Sequence, residues 1–358
     1  MKVLFLNRYG RLGASSRLRS LQFVPGLESA GVECVTAPLT DDEALGGRYA
    51  QGRYGFGALC SSYWRRVRLL FRKHDFDLIR IEKEAFPWCP VWFERLALGG
   101  VPYVLDYDDA TFHRYDQHRS AWVRRIYGRR LDRLMAGAKL VVAGNQYLAM
   151  RAQNAGARWV EIIPTVVDIE RYDAKKVADR NEDVLKIVWI GSPSTAQYLE
   201  LLAEPLRNLA SQRRFTLRVI GATGVELAGV DTEFVPWSEG VEVAAIRECD
   251  IGVMPLFDLP FERGKCGYKL IQYMACGLPV VASPIGVNTE IVKIGEVGFL
   301  ASSSNDWEKL LGRLLDDADL RARLGRAGRA LVEREYSLQS VLPRLLGFLN
   351  KAAGADGV

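Results

Sequence analysis

Two lysines four residues apart, Lys265 and Lys269, are the side chains whose spacing most clearly suggests chemistry. A predicted helix that begins near Gly264 puts both on one face, where like charges repel and where cations also oppose the helix dipole. A bound anion would offset both penalties. Gly264 and Gly267 allow backbone N–H groups to approach a ligand, so the segment predicts a diphosphate site. The alternative is a pair of solvated lysines partnered by Glu262.

A second cluster, Asp106, Asp108 and Asp109, follows the predicted strand 103–105. Ligands of parallel α/β sheets gather at the carboxyl ends of strands, so these carboxylates are expected to face a binding site. Asp106 or Asp108 could act as general base or orient an acceptor hydroxyl, and Asp109 could contact the same acceptor. Two alternatives stay open: a pair of metal-binding aspartates, or aspartates that only cap the next helix.

The first loop, NRYGRLGASS, is a third candidate. Asn7 stands at its start, Gly13 permits close backbone approach, and Arg17 falls in the first turn of the helix that follows. Because a cation in that turn opposes the dipole, Arg17 or Arg19 is expected to meet a phosphate of the acceptor or the donor. The alternative is a pair of exposed arginines on a solvent face.

Short apolar strands alternate with helix-length segments, which predicts parallel, doubly wound α/β sheets that position these clusters. The predicted helix 264–276 is ended by Gly277 in a left-handed conformation. The predicted strands are 3–6, 32–36, 77–81, 103–105, 140–143, 160–163, 185–190, 215–220, 233–235, 251–254 and 280–282.

The composition is that of a globular protein. With 358 residues, 49% of them hydrophobic and 25% charged, two domains are expected. The six cysteines lack C-x-x-C spacing and are expected to be reduced and buried, and three histidines give poor material for a metal site. No apolar run is long enough to span a bilayer and no signal peptide is recognised, which predicts a cytoplasmic protein.

The amino-terminal half is the basic one. Residues 1–170 carry 25 Lys and Arg against 18 Asp and Glu. No nucleic-acid-binding motif accompanies this excess, so an anionic membrane surface or acceptor is the expected partner. Segments 56–73 and 119–135 combine Trp with clustered Arg at helical spacing, which suits a membrane interface. Ordinary surface helices packed on the sheet are the alternative.

The sequence KLIQYMACGLPVVASPIG, followed by TEIV, resembles the donor-binding signature of the retaining, nucleotide-sugar-dependent glycosyltransferases of family four. The resemblance is strong over 185–340 and loose over 1–170. It implies the GT-B fold, in which two Rossmann-like domains face each other across a cleft, with a nucleotide-diphosphate sugar as co-substrate and neither metal nor other cofactor. It further implies an acceptor domain over 1–170, a donor domain over 171–336 and a terminal helix over 337–358 that crosses back to the first domain.

The signature departs from the family pattern at positions that matter for the donor. The two family glutamates fall on Gly264 and Gln272. An amide can still bind ribose hydroxyls, and Glu262 is close enough in sequence to compensate for the first glutamate. Glu290 matches the family glutamate beside the donor, and Tyr268 lies in the same donor-binding segment.

Where the family has an Arg and a Lys after the glycine of the first donor-domain loop, this chain has Gly191, Ser192 and further hydroxyl residues. The resemblance therefore shifts phosphate binding to Lys265 and Lys269, which would stabilise the leaving diphosphate. Val235 lies where the family contacts the nucleotide base.

The resemblance implies a hexosyltransferase that moves a sugar, with retention, from its nucleotide to a hydroxyl of a glycan or lipid-linked acceptor. The expected pathways are cell-surface polysaccharide, lipopolysaccharide or glycolipid synthesis, on the inner face of the plasma membrane. One alternative is a non-catalytic nucleotide-sugar-binding or assembly protein, suggested by Gly264. The other is a GT-B sugar-nucleotide epimerase, which would need acid and base carboxylates and a histidine in the cleft.

Overall fold

The computed structural model describes residues 1–51, 55–172 and 184–354, which form two compact units. Unit 1 consists of Met1–Thr165, Gly264–Cys266 and Val341–Val358, and unit 2 of Val166–Arg263 and Gly267–Ser340. Residues 173–183, which follow the boundary expected between domains 1–170 and 171–336, lie outside the described residues.

The sheet of unit 1 contains β1 (Lys2–Leu6), β2 (Glu33–Thr36), β3 (Leu78–Glu82), β4 (Tyr103–Tyr107), β5 (Leu140–Ala143) and β6 (Val160–Ile162). All its strand pairs are parallel, in the order β2-β1-β3-β4-β5-β6. The register pairs Leu6 with Ile81 and Glu82 with Asp106, so the carboxyl ends of β1, β3 and β4 lie side by side. This strand order has its topological switch point between β1 and β3.

The helices of unit 1 are α1 (Ala14–Ser16), α2 (Val24–Ser29), α3 (Asp42–Gln51), α4 (Phe56–Leu70), α5 (Val91–Leu98), α6 (His113–Asp116), α7 (Ala121–Tyr127), α8 (Arg130–Gly137) and α9 (Gln146–Asn154). A π-helical turn, Arg17–Leu21, continues α1, and a 3-10 turn, Lys73–Asp75, precedes β3.

The sheet of unit 2 contains β7 (Leu185–Ile190), β8 (Phe215–Ile220), β9 (Thr232–Val235), β10 (Ile251–Met254), β11 (Val280–Ala282) and β12 (Gly298–Leu300). Its order, β12-β11-β10-β7-β8-β9, is that of a doubly wound nucleotide-binding sheet. The three-residue β12 was not predicted, since so short a strand gives no periodic signal.

The remaining helices are α10 (Ala203–Ala210), α11 (Glu242–Arg247), α12 (Pro260–Arg263), α13 (Tyr268–Ala275), α14 (Val287–Gly295), α15 (Ser304–Asp316), α16 (Ala318–Glu335) and α17 (Leu338–Ala353). Two 3-10 segments, Ile169–Arg171 and Pro193–Leu202, complete the helical elements described for this part of the chain.

The core of unit 2 lies on both faces of its sheet. Along β7, Val188 and Ile190 pack into one apolar cluster, whereas Ile187 and Trp189 pack into another. This division follows from the alternation of side chains along a strand. The predicted α/β architecture with two parallel, doubly wound sheets is therefore confirmed.

The predicted helix 264–276 is wrong at its start. The segment forms α12, then the non-helical tripeptide Gly264–Cys266, then α13. Gly267 adopts a left-handed conformation with φ 65°, which breaks the helix before Tyr268. Lys265 therefore lies outside the helix and does not share a helical face with Lys269. At the other end Gly277 has φ 75°, as predicted.

Candidate functional site

Asp106, predicted as a candidate base, lies in a buried ion-pair cluster. Its carboxylate accepts hydrogen bonds from Arg19 Nε at 2.8 Å and from Arg80, and the residue is 1% exposed. Burial favours the neutral form of Arg19, but the Asp106 charge outweighs it and holds the Arg19 pKa above its ordinary value. Because both oxygens are bound by guanidinium groups, Asp106 fits a structural role better than the predicted catalytic one.

Arg17 and Arg19, which follow the first loop, are buried, so the alternative of a solvent-exposed pair is wrong. Arg19 also donates to Ile163 O at 2.8 Å, which ties the π-helical turn to the end of β6. Arg17 donates to Arg11 O at 3.1 Å within the loop. Arg19 is thus fully engaged inside unit 1, and a role for Arg17 towards the acceptor stays a prediction.

Asp108 and Asp109 share a cation that sequence reasoning missed. Lys83 Nζ lies 2.9 Å from Asp108 Oδ1 and 2.8 Å from Asp109 Oδ2. Burial acts against the Lys83 charge, but the two carboxylates raise its pKa above the ordinary value. Asp109 shows the converse. Burial favours its neutral form, but the positive charge of Lys83 outweighs this effect and lowers the pKa of Asp109. The position of Lys83 directly after a strand was the available signal.

Two polar side chains at the switch point of unit 1 have atoms without partners among the described residues. They are both amide atoms of Asn7, which follows β1, and Oε1 of Glu82, which ends β3. Glu82 Oε2 accepts from Arg8 N at 2.9 Å and from the Ser16 hydroxyl. Burial raises the Glu82 pKa. Unpartnered buried polar atoms at a switch point suggest a ligand site, and Glu82 was missed by sequence reasoning.

The tripeptide Gly264–Cys266 is held within unit 1 by Asn145. Asn145 Nδ2 donates to Gly264 O and Lys265 O, both at 3.0 Å, while its Oδ1 caps α9. Cys266 Sγ donates to Asp108 O at 3.0 Å. Apart from its position after β5, Asn145 has no sequence feature that predicts this role.

Gly264 has no space for a side chain in this arrangement. A Cβ at that position would lie 2.6 Å from Ala110 Cβ and 2.9 Å from Ala110 N. The glycine at the position of the first family glutamate therefore has a steric reason.

Lys269 lies in the first turn of α13 in unit 2. Its Nζ is 4.6 Å from the ring centroid of Trp189, a favourable cation–π distance, and the side chain is half-buried. Tyr268 precedes it and packs against the apolar core. Gln272 is 2% exposed and donates to Tyr172 OH at 3.2 Å, so its amide is turned into the protein. That geometry fits the predicted ribose contact poorly.

The other predicted donor positions lie at the expected edge of their sheets. Gly191 follows β7 and Val235 ends β9. Glu290 is exposed in the first turn of α14. Ser192 is exposed and bonds Ser194 at 2.9 Å. Gly13 in unit 1 packs tightly, since an added Cβ would lie 2.3 Å from Tyr9 Cβ.

A buried carboxylate, Glu262, lies on α12. It accepts a hydrogen bond from the Tyr198 hydroxyl through Oε1, whereas Oε2 has no partner among the described residues. Glu262 is 7% exposed. The predicted alternative in which Glu262 partners surface lysines does not match this burial, and an unpartnered carboxylate oxygen is suited to a sugar hydroxyl.

The described residues include neither a metal-binding cluster nor a membrane-spanning helix. There, no group of three or more His, Cys, Asp or Glu is arranged to hold a metal ion. Likewise, none of the helices in the described ranges has the length and apolarity to cross a bilayer. All six cysteines are free, but Cys60 is exposed, so the expectation that every cysteine is buried is wrong.

Two family models match, one in each part of the chain. "Glycosyltransferase Family 4" matches residues 22–171, and "Glycosyl transferases group 1" matches residues 184–317. A curated relative, the D-inositol 3-phosphate glycosyltransferase of Pseudarthrobacter chlorophenolicus, is 30% identical over 131 residues, which are 36% of this chain and 30% of the relative. The matched region thus spans less than a third of that relative.

Solved structures resemble the whole chain. Anabaena HepE, in complex with UDP and glucose, has a TM-score of 0.71 at 19% identity and covers 98% of this chain and 100% of its own. Sucrose-phosphate synthase from Thermosynechococcus elongatus has a TM-score of 0.74 at 16% identity and covers 99% and 100%. Together with the two family models, these similarities show that the chain belongs to the group 1 glycosyltransferases with the GT-B fold.

Proposed function

We propose that this glycosyltransferase transfers a hexose, with retention, from a nucleotide-diphosphate sugar to a hydroxyl of a glycan or lipid-linked acceptor in cell-surface polysaccharide, lipopolysaccharide or glycolipid synthesis. The observation that carries the proposal is the donor signature folded as β10-α13-β11-α14 in a doubly wound sheet. HepE, which was solved with UDP-glucose, and relatives named for inositol phosphate and mannoside transfer support donor and acceptor classes of this kind.

The diphosphate is proposed to bind at the amino end of α13. The backbone N–H groups there carry partial positive charge, and Lys269 adds a full charge in the same turn. Charge develops on the diphosphate as the sugar departs, so preorganised cations lower the barrier. A contribution of Lys265 stays a prediction, since the structure places this residue outside α13. No metal or other cofactor enters the proposal.

The donor sugar is proposed to contact Glu262 in place of the glutamate replaced by Gly264. The unpartnered Oε2 can accept a hydrogen bond from a sugar hydroxyl, and Tyr198 fixes the other oxygen. Glu290 and Val235 complete the proposed donor contacts at the same edge of the sheet.

The acceptor is proposed to bind at the switch point of unit 1. Asn7 and Glu82 offer unpartnered polar atoms there, and Asp108 with Asp109 lies after the next strand. Burial raises the pKa of Glu82, whereas the pKa of Asp109 is lowered. Glu82 is therefore better suited than Asp109 to exchange a proton with a hydroxyl. Glu82 or Asp108 therefore replaces Asp106 as the proposed acceptor-orienting carboxylate.

A non-catalytic nucleotide-sugar-binding protein is the second candidate, because Gly264 leaves no side chain at the position of the family glutamate. Calorimetric titration with a panel of nucleotide sugars, followed by assays for transfer and donor hydrolysis with the bound sugar, distinguishes the two. Binding with measurable transfer or hydrolysis is expected. Binding without either reaction, with any extract-derived acceptor, would favour the non-catalytic protein.

A further inference from the structure

Unit 1 contains a cavity of about 930 Å³ at the amino edge of its sheet, the edge opposite Asn7 and Glu82. It is bordered by Val101–Tyr103, which lead into β4, and by Ala138–Lys139, which lead into β5. The volume falls within the range of small-ligand sites. We call it the amino-edge cavity.

Among the described residues, four cations line the amino-edge cavity, and no Asp or Glu does. They are Arg95, Lys139, Arg158 and Lys351. Over the described residues, none of the four forms an ion pair with a carboxylate. The nearby Glu94 is bound by Arg130, and Glu161 accepts the Trp159 indole N–H at 2.8 Å. Four like charges facing one cavity repel one another unless an anion binds between them.

Negatively polarised helix ends offset only part of the positive charge of these four cations. The last residues of α5 and α8 and the last turn of α17 border the cavity, and each helix end carries about half a negative charge. Their sum, about −1.5, is less than half the charge of four cations. Lys73 already donates to Leu96 O and Ala97 O at the end of α5. The charge of the four cations less that of the helix ends leaves a positive excess of about 2.5 charges.

An aromatic wall adjoins the cations. Lys351 Nζ lies 4.9 Å from the Trp159 ring centroid, and Phe348 packs edge-on against the same ring. On α5, Trp92 and Leu96 are 65% and 70% exposed, next to Arg95. The cavity thus combines enough positive charge to balance a dianion with adjacent exposed apolar surface.

We propose that the amino-edge cavity binds a dianionic phosphate group, carried by a soluble phosphomonoester or by a lipid headgroup. A phosphomonoester carries about −1.5 to −2 charges at neutral pH, which would offset most of the excess. The site is separate from the proposed transfer chemistry, which uses the opposite edge of the sheet.

The test follows the tryptophan indole N–H signals by NMR during titration with inorganic phosphate at constant ionic strength. The chain has eight tryptophans, and Trp159→Phe assigns the signal at the cavity. A saturable shift of the Trp159 signal is expected. Trp189, beside Lys269, reports phosphate bound at the donor site instead. A Trp159 signal that does not move, or moves without saturation, overturns the proposal.

Two double variants test whether the cations that line the cavity bind the phosphate. Lys139→Gln with Arg158→Gln is expected to weaken phosphate binding at Trp159 about tenfold or more, since two charge-assisted contacts to the phosphate are lost. Arg119→Gln with Arg125→Gln, two exposed arginines outside the cavity lining, is the matched control and should bind as the parent does. Equal affinity in the two double variants contradicts the proposal.

Vesicles distinguish the two sources of phosphate. Sedimentation with phosphatidylcholine vesicles is compared with and without phosphatidic acid. If phosphatidic acid increases binding and the Lys139, Arg158 double variant loses that increase, the cavity takes a lipid headgroup. If phosphate binds and phosphatidic acid has no effect, it takes a soluble phosphomonoester.

Discussion

Lys83 shows at the scale of one residue how a backbone dihedral organises the acidic loop of unit 1. Its φ of 64° is unusual for a residue with a side chain. Lys83 N donates to Asp106 O at 2.8 Å, and its ammonium group lies between the carboxylates of Asp108 and Asp109. Such a conformation costs about 1 kcal/mol or more, and two buried ion pairs offset that strain.

Replacing Lys269 tests the proposed diphosphate contact. We expect Lys269→Ala to lower kcat at least about tenfold with the fold intact, because one preorganised charge next to the leaving group is lost. Steady-state donor turnover measures kcat, and circular dichroism shows whether the fold is intact. Lys293→Ala, on the exposed side of α14, is the control and should leave kcat unchanged. A Lys269→Ala enzyme with parental kcat would remove the role.

Glu262 carries the second residue-scale prediction. Glu262→Gln should reduce kcat/KM for the donor about tenfold, since a charged acceptor of a sugar hydroxyl becomes a neutral one. The measurement is initial rate against donor concentration. Glu226→Gln, at an exposed position in the same unit, is expected to match the parent. Equal kcat/KM in both variants would show that Glu262 does not touch the donor sugar.

Glu82 links function to pH-dependent stability. Burial raises its folded pKa, so the folded state binds the proton more tightly and stability is lost as pH rises from the unfolded value of about 4.3. Glu82→Gln should therefore stabilise the protein at pH 8 and lower its activity, and the stability gain should disappear near pH 4 or below. Urea unfolding across pH tests this, with exposed Glu28→Gln as control. A Gln variant less stable at pH 8 would contradict the prediction.

At the scale of elements, the break between α12 and α13 decides where Lys265 and Lys269 lie. Gly267 ends any continuous helix, and Asn145 fixes the carbonyls of Gly264 and Lys265. The tripeptide packs so closely on Ala110 that only glycine fits at 264. A glutamate could not be restored there without moving this backbone.

Gly264→Ala tests that packing. The added Cβ would overlap Ala110, and overpacking of this kind typically costs about 1 to 3 kcal/mol. We expect the free energy of unfolding, measured in urea, to fall accordingly. Gly57→Ala in α4, where no atom lies within 4 Å of an added Cβ, should be neutral or slightly stabilising. Similar unfolding energies for both variants would show that the tripeptide is not held as described.

At the scale of the whole molecule, exposed aromatics concentrate in the basic unit 1. On α4 and directly after it, Phe56, Trp64 and Phe71 are 83%, 61% and 79% exposed, and on α7 Trp122 is 74% exposed. Arginines flank them in both segments. We propose that these helices bind an anionic membrane surface, since apolar rings beside cations suit the headgroup region.

Vesicle binding tests the membrane proposal. Trp64→Ala combined with Trp122→Ala should weaken sedimentation with phosphatidylglycerol vesicles about tenfold, and salt should weaken binding of the parent because screening reduces the arginine contribution. Met150→Ala, 52% exposed on α9 without an aromatic ring, is the control. Undiminished binding of the double variant at low salt would exclude these helices as the membrane contact.

The sequence alone determined the alternation of strands and helices, the doubly wound class and the family, because periodicity and the motif of α13 to β11 are local signals. Strand bounds agreed to within one or two residues in most cases, for example Val3–Leu6 against β1. Only the tertiary structure decided which buried carboxylates keep an unpartnered oxygen, as Glu82 and Glu262 do among the described residues. Asp106 is neutralised by Arg19, 87 residues away, and Gly264 is constrained by Ala110. Such pairings depend on how distant segments pack, and no local pattern encodes them.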